Sequence, residues 1–290
     1  MDEFVASEDE FLYVKPLQKK LLEILAYFDA FCKEHGIVYI TQGGTTLGAA
    51  RHQGFVPWDD DVDVILTQPE YEKLLRLWPK YGDEEKFHLQ VFCAEHHSMW
   101  AKLRANGTTF IEENVRHKHI HQGVFIDIMT MQTCPDGKWA RRWQYAWAKY
   151  LVAQEWAFKN NPPKGIKWID RALGVMRHLP RFFLASFAAR QVKRFEGQAT
   201  GCYSKFTDGG MAMHYSLIKK TIIGTPKPIP FENLIVMGPE HPEEYLTMMY
   251  GDWRSLPPVE ARKSHHTYYS VEQDFRDYLG FTDLDDEKYI

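Results

Sequence analysis

Nowhere in these 290 residues do 18 apolar side chains follow one another, so no stretch is expected to cross a bilayer as a helix. The amino terminus is acidic (Met1-Asp2-Glu3) and lacks a basic region with an apolar run behind it, so no secretory signal peptide is expected. Cysteine is scarce: Cys32, Cys93, Cys134 and Cys202 stand far apart, without a CxxC pair or zinc-ligand spacing. They read most simply as reduced thiols in a cytoplasmic protein. Positive charge is not in excess either. With 35 Lys+Arg against 39 Asp+Glu the net charge is −4, which excludes a generally basic nucleic-acid binder. Internal repeats and low-complexity tracts are missing too. What remains, 44% apolar and 14% aromatic, is ample for a core. The length suits one large domain or a core with a substantial insertion.

The pattern predicts a helix from Pro16 to His35, with Leu17, Leu21, Leu22, Ile24, Leu25, Phe28 and Phe31 on one stripe and Gly36 as its stop. Then come a strand over 37–41, a helix over Thr45 to His52, a strand over 61–66, a helix over 69–81 and a strand over 87–93. Extended segments near 99–104 and 108–113 and a strand over 123–129 complete the run. This alternation predicts an α/β (α+β) fold with helices on a mixed sheet. Near Pro135-Asp136-Gly137 the character changes. Residues 138–194 read as helices carrying thirteen Lys/Arg against two acids, Glu155 and Asp170, with Trp139, Trp143, Trp147, Trp156 and Trp168 among them. The tryptophans at i, i+4 spacing read first as core. The basic excess leaves open a surface for an anionic acceptor or peripheral contact with a membrane. The expected organisation is a catalytic core over 1–135, a basic aromatic helical insertion over 136–215, and a part completing the core over 216–290. In that last part, turn residues between 218 and 236 suggest a hairpin or extended loop, and Glu243 to Tyr250 a short helix ended by Gly251. Seven acids crowd the last twenty residues (Glu272, Asp274, Asp277, Asp283, Asp285, Asp286, Glu287), read as a peripheral helix and a frayed tail.

The chemistry concentrates in residues 41–66, TQGGTTLGAARHQGFVPWDDDVDVIL. Alternation along a strand would put Asp61 and Asp63 on one side and Val62 and Val64 in the core. Two adjacent carboxylates repel unless a cation lies between them, and hard oxygen ligands suit Mg²⁺ or Mn²⁺ together with phosphate. Decoration of an exposed strand is the plainer alternative. Ahead of the pair, Gly43, Gly44 and Thr45 join a strand to a helix and could aim backbone N–H groups at a phosphate. An ordinary turn would need the same glycines. A third carboxylate, Asp127, sits in the apolar run Gly123-Val124-Phe125-Ile126-Asp127-Ile128-Met129. Buried there it needs a cation or a partner such as an arginine. Converging, Asp61, Asp63 and Asp127 would make a nucleotidyltransferase-type metal site for in-line attack on phosphorus, with one carboxylate available as base.

The string GGTTLGAARHQGFVPWDDDVDV closely resembles the signature of the LicD family of phosphotransferases. The likeness continues through Lys102-Leu103-Arg104, Thr108 to Glu112 and GVFIDIMTM. It resumes at Glu244-Tyr245-Leu246, Tyr250-Gly251-Asp252-Trp253, Leu256-Pro257-Pro258 and Arg262 to His266. It covers most of 17–135 and 216–268. The family is related to the fukutin-type ribitol-phosphate transferases and implies a nucleotidyltransferase-like fold. It also implies transfer of phosphocholine from CDP-choline to a sugar of teichoic acid or lipopolysaccharide. CDP-ribitol, CDP-glycerol or CDP-ethanolamine would satisfy the same groups. The sequence departs at Met129-Thr130-Met131, where the family usually has Phe-Pro-Leu followed by Asp.

Around this motif, Arg51 could grip a diphosphate oxygen or pair with Asp59 or Asp60. His52 reads as packing or a hydrogen-bond partner. Trp58 could stack on cytosine or face a quaternary ammonium, or serve as structural packing. Lys102 reads as a donor-phosphate contact or a solvated lysine. Arg262, His265 and His266 could close over donor phosphates. The expected enzyme is thus a metal-dependent cholinephosphotransferase. Rival readings are a nucleotidyltransferase releasing pyrophosphate and a non-catalytic scaffold in glycan assembly.

Overall fold

The computed structural model describes residues 8–91, 100–113, 115–159, 181–208, 212–264 and 268–280. Helix α1 (Glu8–His35) packs on a sheet through Leu17, Leu21, Ile24, Leu25, Phe28 and Phe31, all buried. It begins two turns earlier than Pro16 suggests. The loss of one amide donor at Pro16 is outweighed by packing upstream, where Val14 is buried and the Tyr13 ring meets Tyr269 edge-on at 5.1 Å.

The main sheet runs in the order β1 (Tyr39–Thr41), β2 (Asp63–Thr67), β6 (Phe125–Cys134), β4 (Ala101–Ala105), β3 (Phe87–Val91). Only β2 and β6 are parallel; the other neighbours are antiparallel, so the sheet is mixed, as the alternation predicts. The distal half of β6 pairs with β7 (Cys202–Ser204), which pairs with β8 (Leu217–Lys219). Short β5 (Thr109–Phe110) pairs with β11 (Tyr269–Ser270), and β9 (Lys227–Phe231) forms a hairpin with β10 (Leu234–Gly238). The extended segment expected over 108–113 thus shrinks to two residues. The strand expected over 123–129 instead continues to Cys134, because no proline stands at 129–131 to remove a ladder donor.

Alternation gives the sheet two unlike faces. Val62, Val64, Leu66, Leu103, Ile126 and Ile128 join α1 and α3 (Gln68–Tyr81) in the larger core. The intervening residues point the other way, where Ile65 and Met131 meet α6 (Lys220–Ile223) and α7 (Pro242–Tyr250) through Ile222, Tyr245 and Leu246. A third cluster binds α4 (Lys138–Lys159) to α5 (Arg181–Lys193) around Ala148, Val152, Ala188 and Val192. Trp139 and Trp143 lie outside it, 79% and 46% exposed, which corrects their reading as core. Their helix buries its alanine-and-valine side instead. Trp168 and the acidic tail beyond Gly280 fall outside the described residues. Among the described residues no helix is long and apolar enough to cross a membrane.

Helix α2 (Gly43–His52) includes the glycine pair in its first turn rather than following it. Deeper in this helix, a methyl group at Gly48 would overlap the Gly54 carbonyl oxygen and stand 3.1 Å from the Val56 nitrogen. Both obstacles are backbone. The returning loop is braced in turn by the hairpin, whose Glu232 accepts from the Phe55 N–H at 3.1 Å. Gly48→Ala should therefore cost about 1–3 kcal/mol of stability in denaturant unfolding. A variant as stable as the parent would show that this loop yields freely.

Candidate functional site

The chain passes from β1 into α2 through Gly43 at φ +52°, a left-handed conformation that admits glycine most easily. The Gly43 N–H donates to the Tyr245 hydroxyl at 3.3 Å. The Thr45 hydroxyl accepts from the Asp63 N–H at 2.8 Å, and the Gln42 N–H donates to the Asp63 carbonyl at 3.0 Å. Gly44 lies so close to Asp59 that a methyl group there would stand 2.8 Å from its Oδ2. The helix start is thus fastened directly to the acidic strand.

The acidic strand itself begins at Asp63, not at residue 61. Residues 59–62 run in as an irregular approach, though the Asp127 N–H still donates to the Val62 carbonyl at 2.9 Å. This bend brings one carboxylate oxygen each of Asp59, Asp60 and Asp61 within 4.8 Å of one another. Across the parallel β2/β6 pair Asp63 stands directly opposite Asp127. The structure therefore brings Asp61, Asp63 and Asp127 together, and adds Asp59. Burial, then the charges of Asp61, Asp127, Asp59 and Asp208, holds the Asp63 carboxyl well above the usual range. Burial, then Asp61 and Asp60, does the same to Asp59. A crowd of hard oxygen donors that resist ionisation together is the donor set a divalent cation suits.

Register extends this row along the sheet. Lys102 on β4 pairs with Asp127, and Gln90 on β3 pairs with Lys102. Lys102 is buried, which rules out a solvated lysine. Its Nζ lies 3.5 Å from Asp127 Oδ1 and 3.1 Å from Glu112 Oε1, over the Phe125 ring. The cationic neighbour of Asp127 is thus a lysine where an arginine was considered. Glu112 spans two cations, since its Oε2 accepts from Arg104 Nη2 at 2.9 Å. Fully buried Arg104 also donates to Gln90 Oε1 at 2.7 Å and to the Gly123 carbonyl at 2.8 Å.

Beside the carboxylates opens a cavity of about 470 Å³, lined by Gly44, Arg51, Trp58, Asp59, Tyr250 and Asp252 among others. Arg51 does not pair with Asp59 or Asp60. Its Nη1 donates to the carbonyls of Trp253 and Ser255 at 3.0 and 3.3 Å, and its Nε to His52 Nε2 at 2.9 Å. Burial and the neighbouring Arg51 push the His52 imidazole down to about 4, so it is neutral and a hydrogen-bond partner, as read from the sequence. The Arg262 guanidinium lies 5.6 Å from the centre of the Trp58 ring. His265 and His266 lie outside the described residues.

Several residues here escaped the sequence. Tyr245 and Tyr250 lie within the recognised C-terminal motifs, but an uncharged tyrosine carries no signal of its place at a site. Asp208, which is salt-bridged to buried Lys205 at 3.0 Å, belongs to no motif and carries no signal.

Residues 36–162 match the family model described as LicD/FKTN/FKRP, nucleotidyltransferase domain. The chain is 27% identical over 279 residues to the lipopolysaccharide cholinephosphotransferase LicD of Haemophilus influenzae, spanning 88% of this chain and 96% of that protein. Shorter similarities link it to uncharacterized proteins of Rickettsia typhi, 33% over 93 residues (31% of this chain, 28% of that protein), and Rickettsia prowazekii, 26% over 103 residues (36% and 35%).

Crowding of the carboxylates predicts a signed pH effect. A carboxyl whose folded-state pKa is raised favours the native state most below its unfolded value of about 4 and loses that contribution as pH climbs through the folded value. In chelator, Asp63→Asn should therefore gain melting temperature relative to the parent as pH rises from acid to mildly alkaline. An offset independent of pH would mean that Asp63 is not strained.

Proposed function

The chain belongs to the LicD family, and from that footing we propose that it transfers phosphocholine, or a related alcohol phosphate, from a CDP-alcohol to a glycan hydroxyl. The acceptor in this reading is a sugar of a lipopolysaccharide or teichoic acid, and the setting is cytoplasmic. The observation that carries it is the register pair Asp63–Asp127 beside the Asp59–Asp61 cluster, with the start of α2 fastened against both. Similarity to a named cholinephosphotransferase over most of both chains supports the choice of head group.

Asp61 and Asp63, with Asp59, would hold Mg²⁺ (or Mn²⁺), which would supply charge neutralisation and Lewis acidity to the phosphates, and Asp127 would either complete that set or serve as the base. The acceptor oxygen bonds to the phosphorus bearing the alcohol head group, and the bond from that phosphorus to the bridging oxygen breaks. CMP leaves with both bridging electrons. The acceptor proton passes to a carboxylate of the cluster, Asp127 in this reading. Lys102, 3.5 Å from Asp127, holds that side chain in place and tempers its charge. Gly43, Gly44 and Thr45 keep the backbone close to the carboxylates, leaving room for a diphosphate. Arg51, whose pKa is lowered by burial and then by the nearby Arg262, and Arg262 itself favour an anion in the adjoining cavity. Trp58 and Tyr250 offer aromatic faces in the same wall for cytosine or an ammonium.

Thermal melting with Mg²⁺ and CDP-choline, CDP-ribitol, CDP-glycerol, CTP or ATP tests the reading. A ligand at a hundred times its Kd stabilises by about 2.7 kcal/mol. A CDP-alcohol should raise the melting temperature in the parent and not in Asp63→Ala, and turnover with a glycan acceptor should release CMP. Stabilisation by CTP or ATP with release of pyrophosphate would identify nucleotidyl transfer instead. Turnover surviving Asp63→Ala would overturn the site.

A further inference from the structure

Helices α4 and α5 satisfy one another on their inner side, yet present an aromatic face outward. Trp139 and Trp143, one turn apart on α4, are 79% and 46% exposed, and Leu184 and Phe187 on α5 are 43% and 41% exposed. The strip is continuous. Trp143 meets Trp147 edge-on at 5.7 Å, and Trp147 meets Phe187 at 5.0 Å. Trp143 Nε1 donates to Gln191 Oε1 at 3.1 Å, fixing the ring across the two helices.

Charge on the two helices is mostly of one sign, although Lys193 pairs with Glu72 of α3 at 2.8 Å. The two helices carry eight Lys/Arg and a single acid, Glu155. That acid accepts from Trp100 Nε1 at 3.1 Å, on the side of the body of the protein. Arg142 lies 5.2 Å from the Trp139 ring, and Lys138 and Arg190 are exposed. Exposed tryptophan beside lysine and arginine is the chemistry of a headgroup interface, where the indole sits at the apolar boundary and the cations meet lipid phosphates. A second copy of this chain is a poorer occupant, because a two-fold contact would set this positive face against itself.

We propose that the exposed α4–α5 face is a docking surface for an anionic lipid bilayer. It would hold the protein where a lipid-borne acceptor is within reach of its carboxylates. Gln144, next to Trp143 on α4, donates to the Thr133 carbonyl at 2.9 Å, on the strand β6 that also carries Asp127. The surface stands apart from the chemistry of the site, so either can fail without the other.

The test is co-sedimentation of the full-length chain with vesicles of phosphatidylcholine alone or mixed with phosphatidylglycerol. Binding is expected only to the anionic vesicles, and it should weaken with added salt. Trp139→Ala with Trp143→Ala should reduce it roughly tenfold or more, and Arg142→Glu alone, with both rings kept, roughly fivefold. Circular dichroism and the melting temperature of each variant verify the fold, and light scattering reads the oligomeric state. No sedimentation with anionic vesicles at low salt overturns the proposal, as does binding that ignores both sets of substitutions. Self-association lost on Trp139→Ala with Trp143→Ala, without vesicle binding, would assign the face to a second copy.

Discussion

Two carboxylates placed opposite each other on neighbouring parallel strands form an arrangement that a folded chain must offset. Asp63 and Asp127 occupy that position, and much of the surrounding structure answers to it. Thr45 and Gln42 fasten the Asp63 backbone, Lys102 stands beside Asp127, and Tyr245 closes over Gly43 from the opposite helix. The remaining repulsion is left in place, and a cation bound there, as proposed, would relieve it.

The cost of Lys102 is met by Glu112, in the loop just beyond β5. A buried ammonium and a buried guanidinium on the same face would be severely destabilising if either lacked an acceptor. Glu112 serves both, and Gln90 and the Gly123 carbonyl complete Arg104. The sheet thus behaves as a charge ladder in which Asp63, Asp127, Lys102 and Gln90 follow one another by register alone. Its other face is apolar, and that division is what lets one sheet serve as both core and site.

Periodicity made much of this legible. The stripe of α1, the period-two alternation of β2 and β6, the punctuation of the β9–β10 hairpin and the stop at Gly251 are local signals, and each reappears in the structure. Asp63 and Asp127 were legible for the same reason, because each breaks an apolar pattern, while Asp61 stands in the acidic run ahead of the strand. Less legible was anything decided by distant packing. The turns of α1 ahead of Pro16 depend on contacts of Tyr13 and Val14, and the acceptors of Arg51 are carbonyls some two hundred residues away. Trp139 and Trp143 misled because i, i+4 spacing describes a face and not which way that face points, whereas Trp147 of the same series does pack against the third cluster. The residues Met129-Thr130-Met131 have a plain consequence: without a proline, β6 continues to Cys134 and carries β7 on its distal half.

The way Arg51 holds the rim of the cavity has a consequence for how such a site can change. Its guanidinium grips main-chain oxygens of Trp253 and Ser255. A grip on the backbone is indifferent to what the backbone carries. The exposed Ser255 can therefore be exchanged while the rim itself stays anchored, whereas Trp253 is held by its burial in the second core cluster. The cavity wall can thus change at such a position on a frame that does not have to be rebuilt each time.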